Sequence, residues 1–205
     1  MIGWLRDNPA VFTEALVQHL ALSGVGLLLG VAMALPVALL LARRPVLAEW
    51  ASSTAGLLRT LPSLAVLAAL LPVFGVGFTP AVLALALLAL PPVLLHTLVG
   101  LRGAEPAAVE AARGMGFSPW QSLSQVEVPL ALPQIFAGLR TAAVQVVSGA
   151  ALATFIGGGG LGDLVTQGMA LLDTAQLLVG GIAIAVLALA TEAGFGLLQR
   201  AVTPR

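Results

Sequence analysis

Hydrophobic positions in this chain do not alternate with polar ones; they run together in long blocks separated by short polar stretches. A helix needs about 20 mostly apolar residues to cross a hydrocarbon core ~30 Å thick at ~1.5 Å per residue. By that measure the pattern predicts about five spanning helices, at 20–42, 57–74, 80–101, 134–156 and 175–198. The first stops at Arg43-Arg44-Pro45, the third at Arg102 and the fifth at Gln199-Arg200. The fourth is the least hydrophobic, with Arg140, Thr141, Gln145, Ser148 and Thr154 inside it. The predicted fold class is all-α, a polytopic membrane protein. Pro36, Pro62, Pro72, Pro91 and Pro92 fall within these spans. Neighbouring helices re-satisfy the carbonyls that a kink frees, so packing explains them more simply than moving hinges. Gly26 and Gly30 form a GxxxG step, which lets two helices approach closely.

Composition agrees with the pattern and removes several function classes. The 205 residues are 59% hydrophobic and 9% charged, with mean hydropathy +1.05. A soluble domain averages about 25% charged residues, and nine acids with nine arginines cannot cover a water-exposed globule. Net charge is zero and no basic stripe exists, which argues against nucleic acid as a partner. Cysteine is absent, excluding disulfides, thiolate metal sites and cysteine nucleophiles. His19 and His96 are too few for a histidine metal site. Lysine is absent as well, which removes a Walker-type phosphate loop and Schiff-base chemistry. The opening Trp4, Arg6, Asp7 and Asn8 lacks the basic n-region and cleavage site of a signal peptide, so none is expected.

Arginine placement predicts the orientation, because cytoplasmic flanks are enriched in Lys and Arg. Arg43, Arg44, Arg59, Arg102, Arg113, Arg200 and Arg205 share one side if the chain starts outside, and Arg140 enters the fourth span from that side. The other side has Arg6 with Asp163 and Asp173. The expectation is N-terminus out and C-terminus in.

One connection is long and polar. Residues 102–132 are cytoplasmic on this topology and read as two short helices. Pro106 suits a first helical position, 107–113 favours helix, and Gly114 or Gly116 can take the left-handed stop. Ser118 with Gln121 spells an S-x-x-Q capping box around Pro119. Pro129 and Pro133 are expected to close the second helix before the fourth span. An alanine-lined helical hairpin suits the docking of another protein; the alternative is an amphipathic connector lying on the membrane surface.

Glu110-Ala111-Ala112, three residues, Gly116, nine residues and then Val126-Glu127-Val128-Pro129 resembles the EAA loop of ABC importer permeases. The family pattern ends in Ile-x-Leu-Pro, and valine stands here at both aliphatic positions. Residues 59–65 (RTLPSLA), 110–116 (EAARGMG), 128–134 (VPLALPQ), 137–142 (AGLRTA) and 155–162 (FIGGGGLG) resemble the osmoprotectant, or quaternary-amine, branch of that family. This resemblance implies one transmembrane permease domain over 1–205, in a bacterial inner membrane. It implies a second permease subunit, a cytoplasmic ATPase dimer that holds the ATP and Mg, and an extracytoplasmic binding protein. The solutes would be glycine betaine, choline, carnitine and relatives, with methionine or another small solute as the alternative. In the ATPase joint Glu110 would supply a charged contact or cap, Ala111 and Ala112 the close fit and Gly116 the turn. Arg113, Val126, Val128 and Pro129 complete that element.

Other constellations remain open. Gly157, Gly159 and Gly162 match G-x-G-x-x-G, but a dinucleotide site needs a preceding strand and a βαβ context. Gly157, Gly158, Gly159 and Gly160, with Phe155, are expected to form a structural turn or to touch binding protein or substrate. Gln145, Ser148 and Thr154 line the pathway or bind neighbouring helices. Glu192 is the leading intramembrane ionisable candidate, the alternative being a pair with an arginine. A quaternary ammonium favours aromatic faces, and seven Phe, three Trp and no Tyr put the high-affinity cage on the separate binding protein. A secondary transporter is disfavoured by the lack of an inverted repeat, and an intramembrane hydrolase by the lack of G-x-S-x-G.

Overall fold

The computed structural model describes residues 1–202; Arg205, counted above among the inner-side arginines, lies outside the described residues. The described chain is helical, with no strand. Helix α1 (Ile2–Asp7) is followed by α2 (Pro9–Leu41), 33 residues with Pro36 inside. The first span therefore starts well before residue 20. Pro9 suits the first turn, where its missing N–H has no partner to lose, and Glu14, Gln18 and His19 lie on the same helix.

The second predicted span is not one helix. Helix α3 (Pro45–Leu58) and helix α4 (Ser63–Phe74) meet at 97° across residues 59–62. Pro62 is the cause: it cannot donate to a helix and it pushes Leu61 out of the helical region. With 12 residues α4 reaches only ~18 Å, too short to cross alone. Four helices are long and apolar enough to span by themselves, and the broken α3–α4 pair makes a fifth candidate.

Helix α5 (Phe78–Arg102) is the centre of the bundle. Two thirds of its apolar window (67%) is buried, against 11% for the last helix, and it packs on α2 and on the fourth span. Close approach depends on small residues. A Cβ on Gly30 would stand 2.5 Å from the Ala89 Cβ, and one on Gly138 would stand 2.7 Å from the His96 Cβ. The GxxxG step is thus a packing seam between α2 and α5. Pro91 and Pro92 are buried inside an uninterrupted α5, in keeping with packing rather than a hinge.

Helices α6 (Pro106–Gly114) and α7 (Pro119–Ser122) form the expected pair. Pro129 and Pro133 do not end the second of them. A π turn (Leu123–Glu127) carries α7 directly into α8 (Val128–Gly149), and a 3₁₀ turn (Ala150–Ile156) closes a continuous span. Pro129 sits in the first turn of α8. A proline there has no N–H to donate back to the preceding turn, which suits the change of hydrogen-bond register at the π turn. Short α9 (Leu161–Ala170) and long α10 (Thr174–Val202) finish the fold, α10 packing on α8 and α9.

Candidate functional site

The EAA loop stands at one end of α8 and the glycine loop at the other, separated by a helix of 22 residues, ~33 Å. Each end has its own local chemistry.

At the EAA end, α6 packs against α7 and the π turn. Gly116, not Gly114, takes the left-handed position, with φ +84°. The capping box is complete: Gln121 N–H donates to Ser118 Oγ at 3.3 Å, and Ser118 N–H donates to Gln121 Oε1 at 2.7 Å. Glu110, Ala111, Arg113, Gly116 and Pro129 are exposed; Val126 and Val128 are half-buried. Ala112 is wholly buried. Its small side chain therefore serves packing within the chain, and Ala111 alone offers a close-fitting outer surface. Met115 and Trp120 stand beside that surface, 70% and 60% exposed. An apolar pair so exposed on the polar segment suits a protein contact; the sequence has three large apolar residues between Arg113 and Gln121, and Phe117, the third, is half-buried.

A residue that the motif only brackets is more tightly held. Glu127 is buried and ion-paired to Arg43, which follows α2. Its place between two valines marks it as a charge with an apolar background. Nothing in the sequence identifies a partner 84 positions away.

Between the broken α3–α4 pair, α5 and α8 lies a cavity of about 550 Å³. Its polar lining is Arg59, Ser63 and Gln145; its walls include Leu61, Val66, Leu88 and Pro91. The break at Pro62 is what brings Arg59 to this cavity. Ser148, one turn beyond Gln145, is exposed and outside the cavity lining.

The glycine-loop end gathers the remaining candidates. Gly157, Gly159 and Gly160 have φ of +70°, +80° and +94°, which a residue with a side chain rarely adopts. Gly160 N–H donates to Gln18 Oε1 at 3.1 Å, and Gly158 N–H donates to the Ala153 carbonyl at 2.8 Å. Thr154 Oγ1 donates to Asp163 Oδ1 and lies 3.3 Å from Thr166 Oγ1. Thr154, Gly157, Gly158 and Gly159 border a second cavity of about 540 Å³, together with Gln18 and Asp163. Phe155 points outward, 61% exposed. The candidate pathway residues thus divide between two places: Gln145 at mid-span, and Thr154 with the glycines at the end.

His19 is structural. His19 is fully buried and its Nε2 lies 3.0 Å from the Val147 carbonyl. A carbonyl only accepts, so Nε2 carries the proton and donates. Glu192 is paired with Arg140, the alternative raised for it above. Among the described residues no three His, Asp or Glu side chains converge on a metal site.

Comparison with known proteins agrees with this architecture. The carnitine transport permease protein OpuCB of Listeria monocytogenes is 42% identical over 205 residues, covering all of this chain and 94% of that protein. The glycine betaine/carnitine/choline transport system permease protein OpuCB of Bacillus subtilis is 34% identical, again over all of this chain and 94% of the relative. The fold matches an inward-facing structure of the MetNI methionine ABC transporter with TM-score 0.87 at 23% identity, over 96% of this chain and 99% of that one. Residues 26–205 match the family model described as binding-protein-dependent transport system inner membrane component, and this chain belongs to that family of multi-pass inner-membrane permeases.

Proposed function

We propose that this chain is the permease subunit of an ATP-driven importer for compatible solutes such as glycine betaine, carnitine and choline. The observation that carries the reading is the EAA hairpin, built as a capped, outward-facing element joined without a break to a membrane span. A cytoplasmic ATPase dimer docks on that hairpin through Glu110, Ala111 and Gly116, with Met115 and Trp120 as apolar contacts. A second permease subunit, identical or related, completes the membrane part. An extracytoplasmic binding protein delivers solute at the glycine-loop end. The N-terminus lies outside and the C-terminus inside, as the arginines suggest.

Within that frame α8 is a lever. Displacement of the hairpin is transmitted along a continuous helix to Gln145 and the central cavity. ATP and Mg belong to the ATPase; the chain itself binds, orients and moves. The full-length identity with carnitine and choline permeases, 34–42%, supports these solutes over methionine, for which the 23% likeness speaks only to fold.

Reconstitution with the ATPase and binding protein tests this reading. Uptake of labelled carnitine or glycine betaine should require all three components and ATP. Uptake driven by an ion gradient without ATPase would replace it with a secondary transporter.

A further inference from the structure

Arg43 occupies the turn after α2, and Glu127 closes the π turn between α7 and α8. Arg43 Nη2 donates to Glu127 Oε1 at 2.8 Å and also to the Pro119 carbonyl at the start of α7. Ser122 Oγ donates to the same Glu127 oxygen at 3.0 Å. The Glu127 side chain is 10% exposed and that of Arg43 27%. Among the described residues Arg43 Nε is buried without a partner, and Nη2 carries the connection. An exposed ion pair contributes little. Here a carboxylate has been taken out of water and given one cation and one hydroxyl, so losing the cation leaves a desolvated charge.

Location gives the pair its meaning. The EAA hairpin runs directly into α8, so α8 follows any movement of the hairpin. Helix α2 has no such covalent link: it packs on α5 and α8. Its end, through Leu39 and Ala42, meets the apolar cluster of Leu123, Ala131 and Ile135, but these end contacts are neither polar nor directional. The Arg43 guanidinium bridges that gap, touching both the start of α7 and the end of the π turn.

We propose that Arg43 and Glu127 are positioning residues that clamp α2 to the EAA hairpin, so that one displacement moves two membrane helices together. The proposal rests on the reading of that hairpin as the ATPase dock. With the clamp released, the ATPase still docks and still hydrolyses, but α8 moves without α2 and the pathway opens inefficiently.

The test uses the assembled importer in proteoliposomes with its ATPase and binding protein. Wild type is compared with Arg43→Gln, Glu127→Gln, Arg43→Lys and, as a docking control, Gly116→Val. Two quantities are read: ATPase retained on purification, and ATP hydrolysed per glycine betaine taken up. Arg43→Gln and Glu127→Gln should retain the ATPase while ATP per solute rises several-fold. Arg43→Lys keeps the charge on a single donor head and should stay near wild type. A purely structural role would lower hydrolysis and uptake in proportion and leave the ratio fixed. The clamp is overturned by an unchanged ratio in both Gln variants, by equal behaviour of the Lys and Gln variants at position 43, or by loss of both Gln variants from the membrane. Normal ATPase retention in Gly116→Val overturns the docking reading itself and removes the clamp's purpose.

Discussion

Arg140 on α8 and Glu192 on α10 form an ion pair across the interface of the two helices, and Gln199 lies 3.5 Å from the same guanidinium. Gln199 Nε2 also donates to the Pro133 carbonyl at 3.0 Å, so α10 is tied to α8 at two levels. The least hydrophobic span and the acid of the last span thereby satisfy one another. A charge placed in hydrocarbon is costly mainly when it is left alone. Glu192→Ala and Arg140→Ala should each lower the melting temperature of the purified subunit in detergent, and the double variant should melt closer to wild type than either single. Additive losses would mean that the two residues act independently.

The α2–α5 seam predicts a contrast between two glycines of one helix. A Cβ at Gly30 meets the Ala89 Cβ and, at 2.7 Å, the Ala86 carbonyl, whereas a Cβ at Gly24 meets nothing within 4 Å. Overpacking of this kind costs about 1–3 kcal/mol. Relief of glycine's backbone freedom in a helix contributes about 0.5–1 kcal/mol in favour of alanine. Gly30→Ala should therefore destabilise, and Gly24→Ala should be neutral or mildly stabilising, in the same thermal assay.

Orientation can be measured cleanly because the chain has no cysteine of its own. Met115 and Leu171 are 70% and 74% exposed at opposite ends of the bundle, so single cysteines there are reachable when the subunit is expressed without its ATPase and binding protein. With the N-terminus outside, Leu171→Cys should react with an impermeant thiol reagent applied to intact cells, and Met115→Cys only after permeabilisation. The reverse pattern would invert the topology and place the EAA hairpin away from any cytoplasmic ATPase.

The docking surface predicts two different kinds of loss. At Gly116 there is open space around a Cβ, so Gly116→Ala tests backbone conformation alone. A left-handed residue with a side chain costs roughly 1–2 kcal/mol, which should weaken ATPase retention by about one decade at 1.4 kcal/mol per decade. Gly116→Val should be worse. Glu110 is exposed, and its contact would be made on the partner. Losing a hydrogen bond to a charged group costs about 1.5–3 kcal/mol, ten- to a hundredfold in affinity. Gly116→Ala, Gly116→Val and Glu110→Ala should all reach the membrane at wild-type level. Co-purification of the ATPase with each variant is the measurement.

Much of this was legible in the sequence, and the parts that were not share a cause. Long apolar blocks announce spans because the bilayer sets their length, and Ser118 with Gln121 announces a cap because both partners are local. The break at Pro62 was harder, since prolines at 36, 91 and 92 sit inside intact helices and the same residue type gives opposite outcomes. Burial does not separate the cases: Pro91 and Pro92 are buried, but Pro36 is exposed inside an intact α2 just as Pro62 is exposed at the break. The continuity of α7 into α8 was hidden because a π turn has no simple residue signature. Arg43 with Glu127, Arg140 with Glu192, and Gln18 with Gly160 are contacts between distant segments, visible only once the helices are packed.

The central cavity carries the last prediction. Its lining includes Arg59, Ser63 and Gln145 among aliphatic residues, and no aromatic side chain. A quaternary ammonium is held chiefly by aromatic faces, each worth about 0.5–2 kcal/mol depending on desolvation, because it has no N–H to donate. This cavity therefore lacks the groups that would trap glycine betaine or choline. A permease gains from that weakness, since a solute bound tightly at mid-span would not leave. Equilibrium binding of labelled glycine betaine to the importer without its binding protein should be weak, with Kd no tighter than about 1 mM, or −4.1 kcal/mol. Gln145→Leu, which removes a polar foothold without changing bulk greatly, should lower uptake while leaving ATPase retention intact. Micromolar binding to the permease alone, abolished by Gln145→Leu, would show instead that this cavity is a selective site and that the solute is recognised twice on its way in.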